Sequence, residues 1–150
     1  RESGAVDVKK LCVKEGEKVW VISIDIVPLN HDGNIIDLGG LAALAALKTM
    51  KFPEVDEDGN IDYKKSTGKG VEIQELPVPV TVCKVGDHFL VDPTKTEEEL
   101  IDARLPITCL DDKRICSLQK GGDAGMTVDE IRQAFDIALE KTQELRKYVE

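Results

Sequence analysis

The chain has 150 residues, 41% hydrophobic and 33% charged, enough for one full core and too few for two comfortable independent domains. No apolar run approaches the roughly 20 residues that cross a bilayer, so membrane insertion is not expected, and the cysteines are expected as free thiols of a reducing cytoplasm. A net charge of −9 excludes a protein that holds nucleic acid by being basic overall, because phosphate neutralisation needs clustered Lys and Arg.

Arg1 opens the chain without an initiator methionine or a leader, as an incomplete or processed piece would. Residues 18 to 29, KVWVISIDIVPL, concentrate β-branched residues and are closed by Asn30-His31-Asp32-Gly33, which predicts a strand ending in a tight turn. Asp25 lies inside this run, on the opposite side from Trp20, Ile22, Ile24 and Ile26, and is expected to be a partly buried structural acid. DLGGLAALAALKTM follows, apolar all round, with Asp37 as its cap; a helix buried on most of its circumference is expected, its Gly and Ala residues allowing close packing.

Residues 52 to 70 are polar and rich in glycine and charge, and predict an edge hairpin around Asp58-Gly59. Lys64, Lys65 and Lys69 beside Gly68 and Gly70 do not make the P-loop pattern. Two short strands, VTVCKV and HFLVD, then join at Gly86-Asp87. Thr96 with Glu99 offers a capping box for a short helix, placing Glu97, Glu98 and Glu99 in a first turn where the helix dipole favours acids. That accounts for the acid cluster without metal or substrate. Strands over 104 to 110 and 114 to 119 precede a glycine-rich connection, and Thr127 with Glu130 caps a long amphipathic helix carrying Ile131, Ala134, Phe135, Ala138, Leu145 and Val149.

The four cysteines show no CxxC pair, and His31 and His88 stand alone, so no metal framework and no cofactor motif is visible. A chain reversal at Asp112-Lys113 would set Cys109 opposite Cys116, yet buried free thiols are the expected state. The sum is an α/β chain of the α+β type, with hairpins of mainly antiparallel strands in mixed sheets backed by helices on one face. Because no GxGxxG turn follows a strand, a doubly wound nucleotide fold is disfavoured.

Five stretches, in order, resemble the RNase PH family, most closely the non-catalytic RNase PH-like ring subunits of the archaeal exosome: Arg1-Glu2-Ser3 leading to Leu11; KVWVISIDIVPLNHDGNIID; the Ala- and Leu-rich helix; LPVPVTVCKVGDHFLVDPT with its following acids; and ICSLQKGGDAGMT. The resemblance implies an incomplete subunit: residues 1–51 as the tail of the N-terminal RNase PH-like subdomain, 52–75 as a polar hairpin linker and 76–150 as the C-terminal subdomain. It further implies a heterodimer with a catalytic RNase PH-like subunit, three dimers closing a ring around single-stranded RNA, RNA-binding cap proteins, and 3′-to-5′ RNA decay by a partner that uses phosphate and a divalent metal ion.

Active relatives carry an Ala-Asp-Met-Pro-like segment where Ala103-Arg104-Leu105-Pro106 stands, and a Gly-Gly-Thr-Arg-like segment where Gly33-Asn34-Ile35-Ile36 stands. A guanidinium can neither bind Mg²⁺ nor release a proton near neutral pH, and an isoleucine offers phosphate no donor. With Arg104 and Ile36 at those places, no catalytic residue and no metal ligand is expected here. Arg1 matches an arginine expected to face RNA near the dimer interface, where its planar fork suits phosphate; Lys120 beside Gly121 to Gly125 is a weaker candidate. Two rival readings remain: a competent phosphorolytic ribonuclease whose acids have shifted to Asp92, Asp102, Asp111 or Asp112, and an acidic α/β interaction domain with no RNA role.

Overall fold

The computed structural model describes residues 2–56 and 58–149, so Arg1 lies outside the described residues. In chain order, a short 3-10 turn leads into β1 (Cys12–Lys14) and β2 (Lys18–Val19), then α1 (Ile35–Thr49), β3 (Pro53–Val55), β4 (Ile61–Ser66), β5 (Val78–Val85), β6 (His88–Val91), α2 (Lys95–Glu98), β7 (Ala103–Cys109), β8 (Ile115–Leu118) and α3 (Val128–Arg146).

The core is a four-stranded antiparallel sheet in the order β6-β5-β7-β8. Alternation along β5 and β7 sends Val80, Val82, Leu105 and Ile107 to one face, where Ala134 and Ala138 of α3 meet them. Val82 and Ile107 are fully buried, each contributing about 1.5–3 kcal/mol of transfer free energy. The other face of β5 carries Pro79, Thr81 and Cys83, and α1 packs there: a Cβ on Gly40 would come 2.5 Å from Pro79 Cγ. Helices therefore cover both faces of the sheet rather than one. The buried character of every residue from Val78 to Cys83 is the consequence, since a strand covered twice has no polar side.

The predicted strand over 18 to 29 forms only at its start. Beyond Val19, no residue up to 29 is assigned to a strand, and Val21 and Leu29 are 84% and 99% exposed. The pattern of side chains is a strand's, but a strand is made by its ladder, and among the described residues nothing supplies one for this segment. Asp25 is accordingly exposed rather than partly buried. The helix after it starts at Ile35 with Asn34 as cap, so Asp37 sits inside the first turn and not at the boundary. Its buried residues are Asp37, Gly39 and Leu44, with Gly39 turned toward Ile26 rather than the sheet, while Leu38 is 58% exposed.

The hairpin at Asp58-Gly59 forms as β3 and β4, and the box at Thr127 and Glu130 caps α3 as expected. The other box is shifted by two residues: Thr94, extended directly after Pro93, caps α2, and Glu97 returns the bond to its backbone N–H. Cys109 pairs with Ile115 across a bulge, not with Cys116, whose thiol donates instead to the Thr108 carbonyl. All four cysteines are free; Cys83 and Cys109 are buried, Cys116 is half-buried and Cys12 is exposed.

Candidate functional site

The turn that starts α1 is bolted to the segment after β6. Gly33 has φ of +99°, and a Cβ there would sit 2.0 Å from the Pro93 carbonyl oxygen, so only glycine fits the crossing. The backbone N–H of Lys95 donates to the Asp32 carbonyl at 3.1 Å. The Asn34 amide side chain donates to Asp92 Oδ1 at 2.7 Å, and the Asn34 backbone N–H donates to Glu98 Oε1 at 2.9 Å. Glu98 is thus a tie between α2 and α1, which goes beyond a solvated helix cap.

Between this junction and the sheet lies a cleft of about 480 Å³, lined by His31, Asn34, Ile36, Thr81, Cys83, Glu98 and Arg104 among others. Ile36 comes from the first turn of α1, and Arg104 comes from β7, where its backbone bridges Gly121 in both directions at 2.9 Å. The two positions singled out by their departure from the active pattern are therefore neighbours in one cleft.

Behind Ile36, the buried carboxylate of Asp37 accepts from the Thr81 backbone N–H and from the Thr81 hydroxyl, both at 2.7 Å. Burial holds its carboxyl above the usual carboxylate range, and the Thr81 donors oppose that shift. Burial also pushes the Cys83 thiol up to about 11, with the Asp37 and Glu98 charges adding to it and Arg104 opposing. That thiol stays protonated at neutral pH and is no nucleophile. His31 Nδ1 accepts from the Gly33 backbone N–H at 3.2 Å, which leaves Nε2 facing Glu98 at 3.9 Å.

Chemically, this cleft can hold and orient, and most of its carboxylate oxygens already have partners. Both oxygens of Asp37 are occupied by Thr81, Glu98 Oε1 is occupied by Asn34, and no group of three His, Cys, Asp or Glu among the described residues is placed to hold a metal ion. The four acids of the rival enzymatic reading are scattered. Asp92 holds Asn34, Asp102 Oδ2 accepts from the Gly86 N–H at 2.7 Å in the β5–β6 turn, and Asp111 and Asp112 lie in the β7–β8 turn with Arg114. Lys120 lies beside the cleft with its ammonium on the Gly122 carbonyl at 2.5 Å. His31 and Glu98 escaped sequence reasoning because the contacts that bring them here join residues some sixty positions apart, and Cys83 because its place depends on the pairing of β5 with β7.

Residues 6–53 match domain 1 of the 3′ exoribonuclease family, the RNase PH type, and residues 75–141 match domain 2. A relative from Methanosarcina acetivorans described as exosome complex component Rrp42 is 42% identical over 97% of this chain and 53% of its own length. One of the same description from Thermococcus gammatolerans is 41% identical over 98% of this chain and 55% of its own. Among solved structures, an archaeal exosome core matches with a TM-score of 0.87 at 35% identity, covering 99% of this chain and 57% of the other. The Archaeoglobus fulgidus exosome with RNA bound to the active site matches with a TM-score of 0.87 at 36% identity, over 99% and 56%. The chain spans about half the length of the curated relatives it matches. It belongs to the RNase PH-type 3′ exoribonuclease family and has the RNase PH-like fold of the archaeal exosome core.

Proposed function

We propose that this member of the 3′ exoribonuclease family is part of a non-catalytic ring subunit of an archaeal exosome. In this reading it pairs with a catalytic RNase PH-like subunit, three such dimers close the ring, and it serves 3′-to-5′ RNA degradation by shaping the partner's active site and helping to hold single-stranded RNA. The observation that carries the reading is that Ile36 and Arg104 line one cleft. Two departures at unrelated places would be drift; two at the same place remove both the phosphate donor and the metal-binding acid from a single site, which is how a family member loses chemistry while keeping its scaffold.

The division follows the same reading: residues 1–51 are the tail of the N-terminal subdomain, 52–75 a linking hairpin and 76–150 the C-terminal subdomain. The apolar side chains of Val21, Ile24, Ile26, Val27 and Leu29, all exposed in this chain, are the kind of surface that marks an obligate neighbour. Arg1 faces RNA near the dimer interface, RNA-binding cap proteins complete the assembly, and the complex works in the cytoplasm. Native mass spectrometry of the full-length subunit, alone and mixed with the catalytic one, tests the reading. A species of three plus three subunits is expected on mixing; two proteins that stay apart at micromolar concentration would sink it.

A further inference from the structure

Beside the cleft, the β7–β8 hairpin carries a second groove of about 400 Å³ to which Arg104, Thr108, Ser117, Gln119 and Lys120 contribute around Pro106. The pairing puts these side chains together. Thr108 lies opposite Ser117, the Gln119 N–H donates to the Pro106 carbonyl at 3.2 Å, and Arg104 bridges Gly121. α1 packs on β5, and Ile36 from its first turn, with Pro79, closes the β5 side of this groove.

The lining has two cations, two hydroxyls and an amide, and no carboxylate. In a chain with 29 acids against 20 Lys and Arg, a groove free of acids is the exception. No ion pair among the described residues engages the Arg104 guanidinium. Its stem lies close against Gly121, where an added Cβ would stand 2.9 Å from Arg104 Nε and 3.2 Å from its Cγ. A planar guanidinium fork meets phosphate oxygens in two places and loses less freedom per hydrogen bond than a flexible ammonium.

We propose that this groove is a phosphodiester shelf for single-stranded RNA. Arg104 and Lys120 each take a phosphate, and Thr108, Ser117 and Gln119 supply neutral hydrogen bonds to the backbone and its 2′-hydroxyls. The residue that removes metal chemistry from the cleft thereby gains a second task, that of holding the strand without cutting it. The inference rests on the ring-subunit reading for its RNA, but Arg104 and Lys120 can be tested apart from the ring.

The experiment is fluorescence anisotropy of a labelled oligoadenylate with the isolated full-length subunit, across a salt series. Arg104→Ala and Lys120→Ala are each expected to weaken binding about fivefold, and each to lower the slope of log affinity against log salt by about 0.7, the value for one phosphate contact on a single strand. Arg104→Lys keeps most of the affinity, and a melting curve for each variant separates lost contact from lost fold. An unchanged affinity and slope in the double variant overturns the shelf, as does a wild-type subunit that does not bind the oligonucleotide. So does a double variant that binds RNA normally yet fails to join the catalytic subunit, since the groove would then take an acidic protein surface. Weakened RNA binding by variants whose wild type forms no ring would instead keep the shelf and discard the ring.

Discussion

The carboxylate of Asp37 accepts two hydrogen bonds from Thr81, one from its backbone N–H and one from its hydroxyl, each at 2.7 Å. This pair fixes the first turn of α1 to the middle of β5, and with it the position of Ile36 relative to Arg104.

Asp37→Ala leaves two buried donors without an acceptor and is expected to cost about 2–4 kcal/mol, each orphaned group being worth roughly 1–3. Asp37→Asn keeps an acceptor and should cost less than half of that. The carboxyl of Asp37 is raised above its ordinary 3.8 by burial, so the folded state binds its proton more tightly than the unfolded chain does. Its contribution to stability is therefore full below that ordinary value and declines as the pH rises through the elevated one. Urea titrations from pH 3 upward check both statements: the decline must be absent in Asp37→Asn.

Gly33→Ala forces a side chain into the Pro93 carbonyl at a φ of +99°. A loss of at least about 2 kcal/mol is expected from the strain and the clash. Hydrogen exchange should localise it, with faster exchange at Asn34 and Lys95, whose N–H groups hold the junction. An alanine variant that melts with the parent would show that the crossing is looser than described.

Lys84 and Glu130 meet at 2.5 Å, with side chains 17% and 25% exposed. The Lys84 ammonium, with the Thr127 backbone, holds the Glu130 carboxyl below its ordinary 4.5. A depressed carboxyl stabilises above its unfolded value and ceases to do so as the pH falls through the folded one. Lys84→Met should accordingly flatten the loss of stability below pH 4.5, while the Thr127 cap keeps α3 in place.

Cys83 is buried with a thiol pushed to about 11, whereas Cys12 is exposed. A thiol reagent at pH 8 should label Cys12 within minutes and reach Cys83 and Cys109 only on unfolding. Rapid labelling of Cys83 in the native protein would mean that the cleft opens.

The short strands and capped helices of residues 76–149 were legible because their patterns are local: alternation over Val80 to Val85, a Gly-Asp turn, and a Thr and Glu three residues apart at the start of α3. Residues 20–29 carry the same alternation and fail to form a strand, since pairing is not a property of one segment. The two-sided cover of β5 was readable in principle from its largely apolar run, but the run is short and is interrupted by Pro79 and Thr81. At the site, Arg104 and Ile36 were found through a family pattern, while Glu98 and His31 were hidden because their roles arise only when the α1 turn and the α2 segment come together. The capping register was misplaced because two threonines, Thr94 and Thr96, each precede an acid by three residues, and the spacing alone does not choose between them.

Arg104→Asp restores an acid to the cleft but leaves Ile36 without a phosphate donor and Asp37 committed to Thr81. Under the proposed function, the variant should remain inactive in phosphate-dependent RNA decay with Mg²⁺. Activity from this single change would mean that the cleft still contains the rest of a catalytic site.

The most direct test is the release of nucleoside diphosphates from RNA by the purified full-length subunit in phosphate and Mg²⁺, with and without the catalytic RNase PH-like subunit. No release by the subunit alone, and release once the partner is added, is what the account predicts. Sustained release by the subunit alone, with the partner shown to be absent from the preparation, would contradict it.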